Sequence, residues 1–237
     1  LDFKNSVPAD EIQAKFTDTI TRGMSGICFS PYEAGQEPGD LITEEQIRRK
    51  LELVEPFTQW IRIFSCTNGH EKIPAIAKEM GLKTMVGAWI SDDLLVNDKE
   101  IKSLIQLMER KLVNIATVGN EVLYRGELKE EALIKYINEV KANANGIPVS
   151  YVDAYYEFAN RPNLSEACDL ILANCYPYWE GTDIQTAGFH LQEMYRMVKE
   201  AAKGKKVIIA ETGWPSEGDA MQEAIPSKLS PILATKG

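Results

Sequence analysis

The segment Ile115-Ala-Thr-Val-Gly-Asn-Glu121 is a short apolar, β-branched run that ends in a glycine, an amide and a carboxylate. Val207-Ile-Ile-Ala-Glu211 repeats the pattern about ninety residues later. Runs of this length and apolarity suit strands covered on both faces, as in a parallel sheet. A carboxylate at the C-terminal end of such a strand is costly unless it is paired or hydrogen-bonded.

Working outward, further strand candidates are Gly26–Ser30, Trp60–Ser65, Thr84–Ile90, Val149–Ala154 and Leu170–Asn174, with Ile115–Val118 and Val207–Ala210 as the runs already quoted. Amphipathic helical segments separate them. Thr43-Glu-Glu-Gln46 reads as a capping box opening a segment to Phe57, with Ile47, Leu51 and Val54 on one face. Glu71–Met80 stops at Gly81, a residue suited to a left-handed helix end. Asn97-Asp-Lys-Glu100 predicts the start of a helix striped by Ile101, Leu104, Ile105 and Met108. Lys129–Ala144 groups Leu133, Ile137 and Val140, and Thr186–Ala202 carries Phe189, Tyr195, Met197 and Val198.

Repeated β-then-α units allow a doubly wound open sheet or a (β/α)8 barrel. No G-x-G-x-x-G or G-x-x-x-x-G-K-[ST] turn is present to favour a nucleotide-binding sheet. Polar residues instead cluster just past the C-terminal ends of several strands, where a barrel builds its active site. The fold class is therefore α/β, a TIM (β/α)8-type barrel. Only seven strands are legible, so the eighth strand-helix unit is expected to be lacking. The barrel units run from about 23 to 216 of a single domain over 1–237, and the tail 217–237 shows no helical stripe. An unclosed barrel leaves its first and seventh strands as pairing edges, which predicts self-association.

The chain has 237 residues and a net charge of -9. That balance argues against nucleic acid as a partner, since nucleic-acid binders cluster Lys and Arg. No apolar run reaches the roughly 18 residues of a membrane span. Leu1–Asp10 shows neither the basic start nor the apolar stretch of a secretory signal. The cysteines at 28, 66, 168 and 175 form no C-x-x-C pair, and His70 and His190 lie far apart, so no metal site and no cofactor is expected. Cys168 and Cys175 bracket one strand and are too far apart to bridge. Cys28 and Cys66 lie on neighbouring strands and are within reach of each other, but free buried thiols are the preferred reading.

Glutamates ending the fourth and seventh strands would face each other across a barrel mouth. Two carboxyl groups in one cleft push their proton affinities apart, which leaves one as acid and the other as anion. Glycosidic cleavage needs that division: a proton for the leaving oxygen and an anion facing the anomeric carbon. The competing reading is that each merely pairs with a buried cation. Arg62, inside the run Ile61–Ile63, must be paired, and Glu211 is its expected partner. Tyr32, Trp89, Tyr176, Tyr178, Trp179 and Trp214 all follow strands, and such rings suit the faces of sugars.

These residues carry a resemblance. Val118-Gly-Asn-Glu121 and Glu211-Thr-Gly-Trp-Pro-Ser216 resemble the two catalytic motifs of family 17 glycoside hydrolases, of clan A. Ile27-Cys-Phe-Ser-Pro-Tyr32, Ile61-Arg-Ile-Phe-Ser65 and Cys175-Tyr-Pro-Tyr-Trp179 match in order, from about Gly23 to Ser216. The resemblance implies a β-1,3-glucanase or β-1,3-glucan transglycosylase acting on β-glucan with retention. Glu121 would be the acid/base and Glu211 the nucleophile, with carboxyl groups about 5–5.5 Å apart. Asn120 would bind the sugar 2-hydroxyl and Tyr176 would orient Glu211. Tyr32 and Trp214 would line the subsite beside the cleaved bond, with Arg62 and Trp179 completing the substrate-binding set. The sequence departs from the family at its end, where an aromatic, acid-rich stretch is expected and Lys228–Gly237 does not supply it. Hydrolase, transglycosylase and non-catalytic glucan-binding barrel remain open. A polymeric substrate implies secretion, the periplasm or the cell surface.

Overall fold

The computed structural model describes residues 23–227, together with Ala14, Thr17, Asp18 and Thr21. The readings of Leu1–Asp10 and of Lys228–Gly237 lie outside the described residues. In chain order the elements are β1 (Ile27–Cys28), α1 (Glu44–Val54), β2 (Trp60–Ile63), α2 (Ile73–Glu79), β3 (Lys83–Ala88), α3 (Leu94–Glu109) and β4 (Ile115–Asn120). They continue with α4 (Glu130–Ala142), β5 (Val149–Ala154), α5 (Tyr155–Asn160), α6 (Pro162–Ala167), β6 (Ile171–Asn174), α7 (Ala187–Ala201) and β7 (Val207–Glu211).

The seven strands are parallel and pair strictly in sequence order, β1 to β7. They curl into a nearly closed TIM-like barrel. At the seam, the Cys28 thiol on β1 approaches the Ala210 carbonyl on β7 at 3.6 Å, and no ladder joins the two strands among the described residues.

Strand alternation sorts the core into two layers. Met85, Ile115, Val152, Leu170 and Leu172 pack inside the barrel with Trp60, Ile208 and Ala210. The alternate strand residues Ile61, Ile63, Val86, Ala116, Val149, Ile171 and Val207 face the helices, against Leu51, Ile76, Leu104, Ile137 and Val198. Burying each of the Val, Leu, Ile and Met side chains among them contributes about 1.5–3 kcal/mol, so the alternation specifies the register strongly.

Two strands break the alternation. Along β4, Thr117 pairs with Ser150 but Asn120 pairs with Val152, one residue too many. Along β7, Ala173 pairs with Ile209 but Asn174 pairs with Glu211. Each extra residue is a bulge, and a one-residue slip turns the following side chain to the opposite face. Asn120 and Glu211 therefore point inward, where regular strands would have sent them out.

Local details correct several expectations. Thr43 does cap α1, accepting from Gln46 N at 3.2 Å, but the Gln46 amide bonds Pro31 O instead of returning to the cap. Asp93, not Asn97, caps α3, accepting from Leu95 N and Val96 N. Asn97 is fully buried one turn later, its amide paired with both Ser91 N and Ser91 O. On α7 the buried stripe is Ala187, Met194 and Val198, whereas Phe189, Tyr195 and Met197 are exposed. The four cysteines are free thiols. Cys66 sits against Glu100, a buried carboxylate on α3 that also accepts from Ser65, Thr67 and Trp89 N and so ties the β2 and β3 loops together.

Candidate active site

Glu121 directly follows β4, and Glu211 ends β7. The backbone at Glu121 is left-handed, with φ at 53° on a non-glycine residue. Such strain persists only where neighbours over-determine it, and it concentrates at functional sites. Gly119 makes the approach feasible: its φ is 86°, and a Cβ there would stand 2.8 Å from Val122 Cγ2. Glu121 N donates to Val152 O at 2.8 Å, and Glu121 O accepts from Arg125 N at 2.9 Å.

One hydrogen-bonded chain joins the two carboxylates. Asn174 Nδ2, at the inward end of β6, donates to Glu121 Oε1 at 2.8 Å and approaches Asn120 Oδ1 at 3.5 Å. Two acceptors opposite one nitrogen assign the orientation of that amide. Arg62 Nη2 donates to the same Asn120 Oδ1 at 2.8 Å, and Arg62 Nη1 pairs with Glu211 Oε1. The Arg62 side chain is 5% exposed, and its guanidinium also lies over the Phe64 ring at 4.4 Å. From the far side, the Tyr176 hydroxyl donates to Glu211 Oε2 at 2.7 Å. Burial, and then the charge of Glu211, push the Tyr176 phenol up, so it stays protonated as a donor.

The two acids thus have different company. Glu211 meets a guanidinium and a phenol, donors suited to an anion, whereas Glu121 meets one neutral amide. Asymmetric partners of this kind give two carboxyl groups separate roles.

The remaining sequence candidates divide. Tyr32 lies edge-on to His70, and its hydroxyl accepts from Gly39 N at 3.3 Å. Trp179 is 61% exposed beside Tyr178. Trp214 is packed away, only 7% exposed, among Tyr178, Ala187 and Ala224, with its indole N–H on Ile225 O at 3.1 Å. Trp89 carries the Arg125 guanidinium on its ring at 4.8 Å. Two residues at the site were not anticipated. Asn174 ends an apolar strand inward, a position that alternation along Ile171–Asn174 could have flagged. Arg125 grips the Asn120 carbonyl and forms a two-point pair with Glu127.

The BtgE/BtgC glycoside hydrolase domain profile matches residues 26–235. The chain belongs to this family. The family 17 resemblance of its motifs agrees with its relatives. Over 216 residues it is 31% identical to the probable family 17 glucosidase SCW10 of Saccharomyces cerevisiae, covering 88% of this chain and 54% of that protein. It therefore spans about half the length of that relative. A glucan 1,3-beta-glucosidase of Schizosaccharomyces pombe is 27% identical over 236 residues, covering 91% of this chain and 72% of that one. Among solved structures, an active-site mutant of Rhizomucor miehei beta-1,3-glucanosyltransferase in complex with laminaritriose superposes with a TM-score of 0.81 at 28% identity, over 91% of this chain and 80% of that chain.

Proposed function

We propose that this chain is one catalytic unit of a retaining enzyme that cleaves β-1,3-linked glucan, with Glu121 as acid/base and Glu211 as nucleophile. The observation that carries the reading is the chain Glu121–Asn174–Asn120–Arg62–Glu211 across the C-terminal mouth of the barrel. Support comes also from relatives described as a glucan 1,3-beta-glucosidase and a beta-1,3-glucanosyltransferase.

In the first step a Glu211 oxygen attacks the anomeric carbon while Glu121 gives its proton to the departing glycosidic oxygen. Arg62 and Tyr176 hold the attacking carboxylate in one orientation, so little of the barrier goes into positioning it. A glucosyl ester of Glu211 results. In the second step Glu121, now a carboxylate, takes a proton from an incoming hydroxyl that displaces Glu211, and two inversions give net retention. Asn120, fixed by Arg62, addresses the 2-hydroxyl. Tyr32 and Trp179 offer ring surface to neighbouring sugars, and Trp214 supports Trp179 through Tyr178.

A second reading is transfer, in which the incoming hydroxyl belongs to another glucan instead of water. The described Rhizomucor miehei relative favours it. Both readings place the enzyme outside the cell, where such polymers lie, and the β1–β7 seam is the edge through which copies would associate. The test is a digest of laminarin, with mixed-linkage glucan and cellulose as controls, by the intact chain, Glu121→Gln and Glu211→Gln. Reducing sugar from laminarin that both variants abolish is expected. Undiminished release by either variant overturns the assignment, and products longer than the starting oligosaccharide indicate transfer.

A further inference from the structure

The left-handed turn at Glu121 is held from below by side chains of β5 that do not reach the cleft. Tyr151, fully buried, stands under the loop at two points. Its ring lies where a Cβ on Gly119 would meet it at 3.4 Å, and its hydroxyl accepts from Leu123 N at 3.0 Å. The same hydroxyl donates to Asp153 Oδ2. Asp153 is also fully buried, and it accepts from Tyr124 N at 3.3 Å and Ala154 N at 2.7 Å. Two consecutive backbone N–H groups beyond Glu121 thus end on one buried pair. Three residues before Asp153's neighbour Ala154, Tyr151 completes a single strand-borne support, while Val152 O between them takes the Glu121 N–H itself.

We propose that Tyr151 and Asp153 are positioning residues that hold the Glu121 carboxyl in its proton-delivering place. This rests on the acid/base reading of Glu121. A strained turn relaxes when its anchors are removed, and a shift of about 1 Å at a reacting group can cost on the order of 100-fold in rate. Neither residue touches substrate. Their effect passes through the backbone of residues 121–124, so it falls on proton transfer and leaves nucleophilic attack by Glu211 intact.

The experiment compares two substrates that differ in their need for a proton. A laminari-oligosaccharide has a poor leaving group that must be protonated, whereas a dinitrophenyl β-glycoside of laminaribiose leaves unaided. Values of kcat/KM report the first half-reaction for both. Tyr151→Phe, which keeps the ring and removes only the hydroxyl, is expected to lose about tenfold on the oligosaccharide and less than about threefold on the dinitrophenyl substrate. Asp153→Asn is expected to show the same selectivity with a smaller loss than Asp153→Ala, because the amide oxygen still accepts from the loop. A merely structural role would lower both substrates together. Glu121→Ala serves as the reference for a lost acid. If it is selective while Tyr151→Phe and Asp153→Asn depress both substrates equally or neither, the positioning role is overturned and the acid/base reading stands. If Glu121→Ala itself is unselective, that reading fails and this inference falls with it.

Discussion

Arg62 on β2 binds Glu211 on β7 with one guanidinium nitrogen and Asn120 on β4 with the other, so a single planar group spans the barrel interior between the two glutamate-bearing motifs. An arginine placed in an apolar strand interior is tolerable only with such partners, because an unpaired buried charge is expensive.

Arg62→Lys keeps the charge but replaces a rigid fork with one flexible point donor, which cannot serve both acceptors in this geometry. Activity on laminarin is expected to fall about 100-fold in kcat/KM, chiefly through kcat. Arg62→Met is expected to cost about 3–5 kcal/mol of stability as well, since Glu211 loses its counter-charge within the barrel. Steady-state kinetics and denaturant unfolding check the two halves. Wild-type kcat in Arg62→Lys would refute the role given to the bridge.

Much of this is legible in the sequence. β5 runs from Val149 to Ala154 as its apolar pattern indicates, and Arg62 announced a buried anion because a charge inside Ile61–Ile63 must find one. The bulges were not readable. A slip of one residue leaves the composition of Ile115–Glu121 and Val207–Glu211 unchanged, yet it decides which side chains face inward. The inward direction of Asn174 is legible from its alternation with Leu172, but its contact with Glu121 is not, because that depends on the β4 bulge. The family resemblance places Trp214 beside the cleaved bond, and the structure packs its ring at 7% exposure. Its burial depends on the segment through Asp219 and Ile225 folding over it, where Tyr178 bonds Asp219 O and Trp214 bonds Ile225 O.

The bulge on β4 makes Gly119 a sharp test. At φ of 86° a side chain costs about 1–2 kcal/mol, and the contact with Val122 adds overpacking strain of similar size. Gly119→Ala is expected to destabilise the fold by about 2–4 kcal/mol in denaturant titration, with a further loss of activity as residue 121 shifts. Unchanged stability would mean that the turn is not held as described.

Asp153 gives a signed pH dependence. Burial raises its carboxyl from its usual 3.8 to about 6, although Tyr151 and the Ala154 and Tyr124 amides pull the other way, and the charge of Glu157 adds to the rise. A raised folded value means that the native state favours the protonated acid. The associated stability is complete below about pH 4 and is lost as pH climbs through about 6. The gap corresponds to about 3 kcal/mol at 1.36 kcal/mol per pH unit. Asp153→Asn removes this titration. Its stability relative to wild type is therefore expected to improve between pH 4 and pH 6.5, by up to that amount. Parallel stability curves for the two proteins across that range would contradict the shift.

Trp179 and Trp214 flank Tyr178 in one edge-to-face series, with ring centroids 4.9 and 5.3 Å from it, yet they differ in exposure from 61% to 7%. The same substitution should therefore act on different quantities. Trp179→Ala exposes no core, so its thermal midpoint should hold while KM for laminari-oligosaccharides rises about tenfold, the equivalent of about 1.4 kcal/mol of lost stacking. Trp214→Ala empties a packed site and removes the indole donor to Ile225 O, which should cost about 3–5 kcal/mol and lower the midpoint by about 10 °C. Thermal melts and KM measured on both variants separate the cases. A raised KM in Trp214→Ala without loss of stability would instead place that ring directly against the sugar.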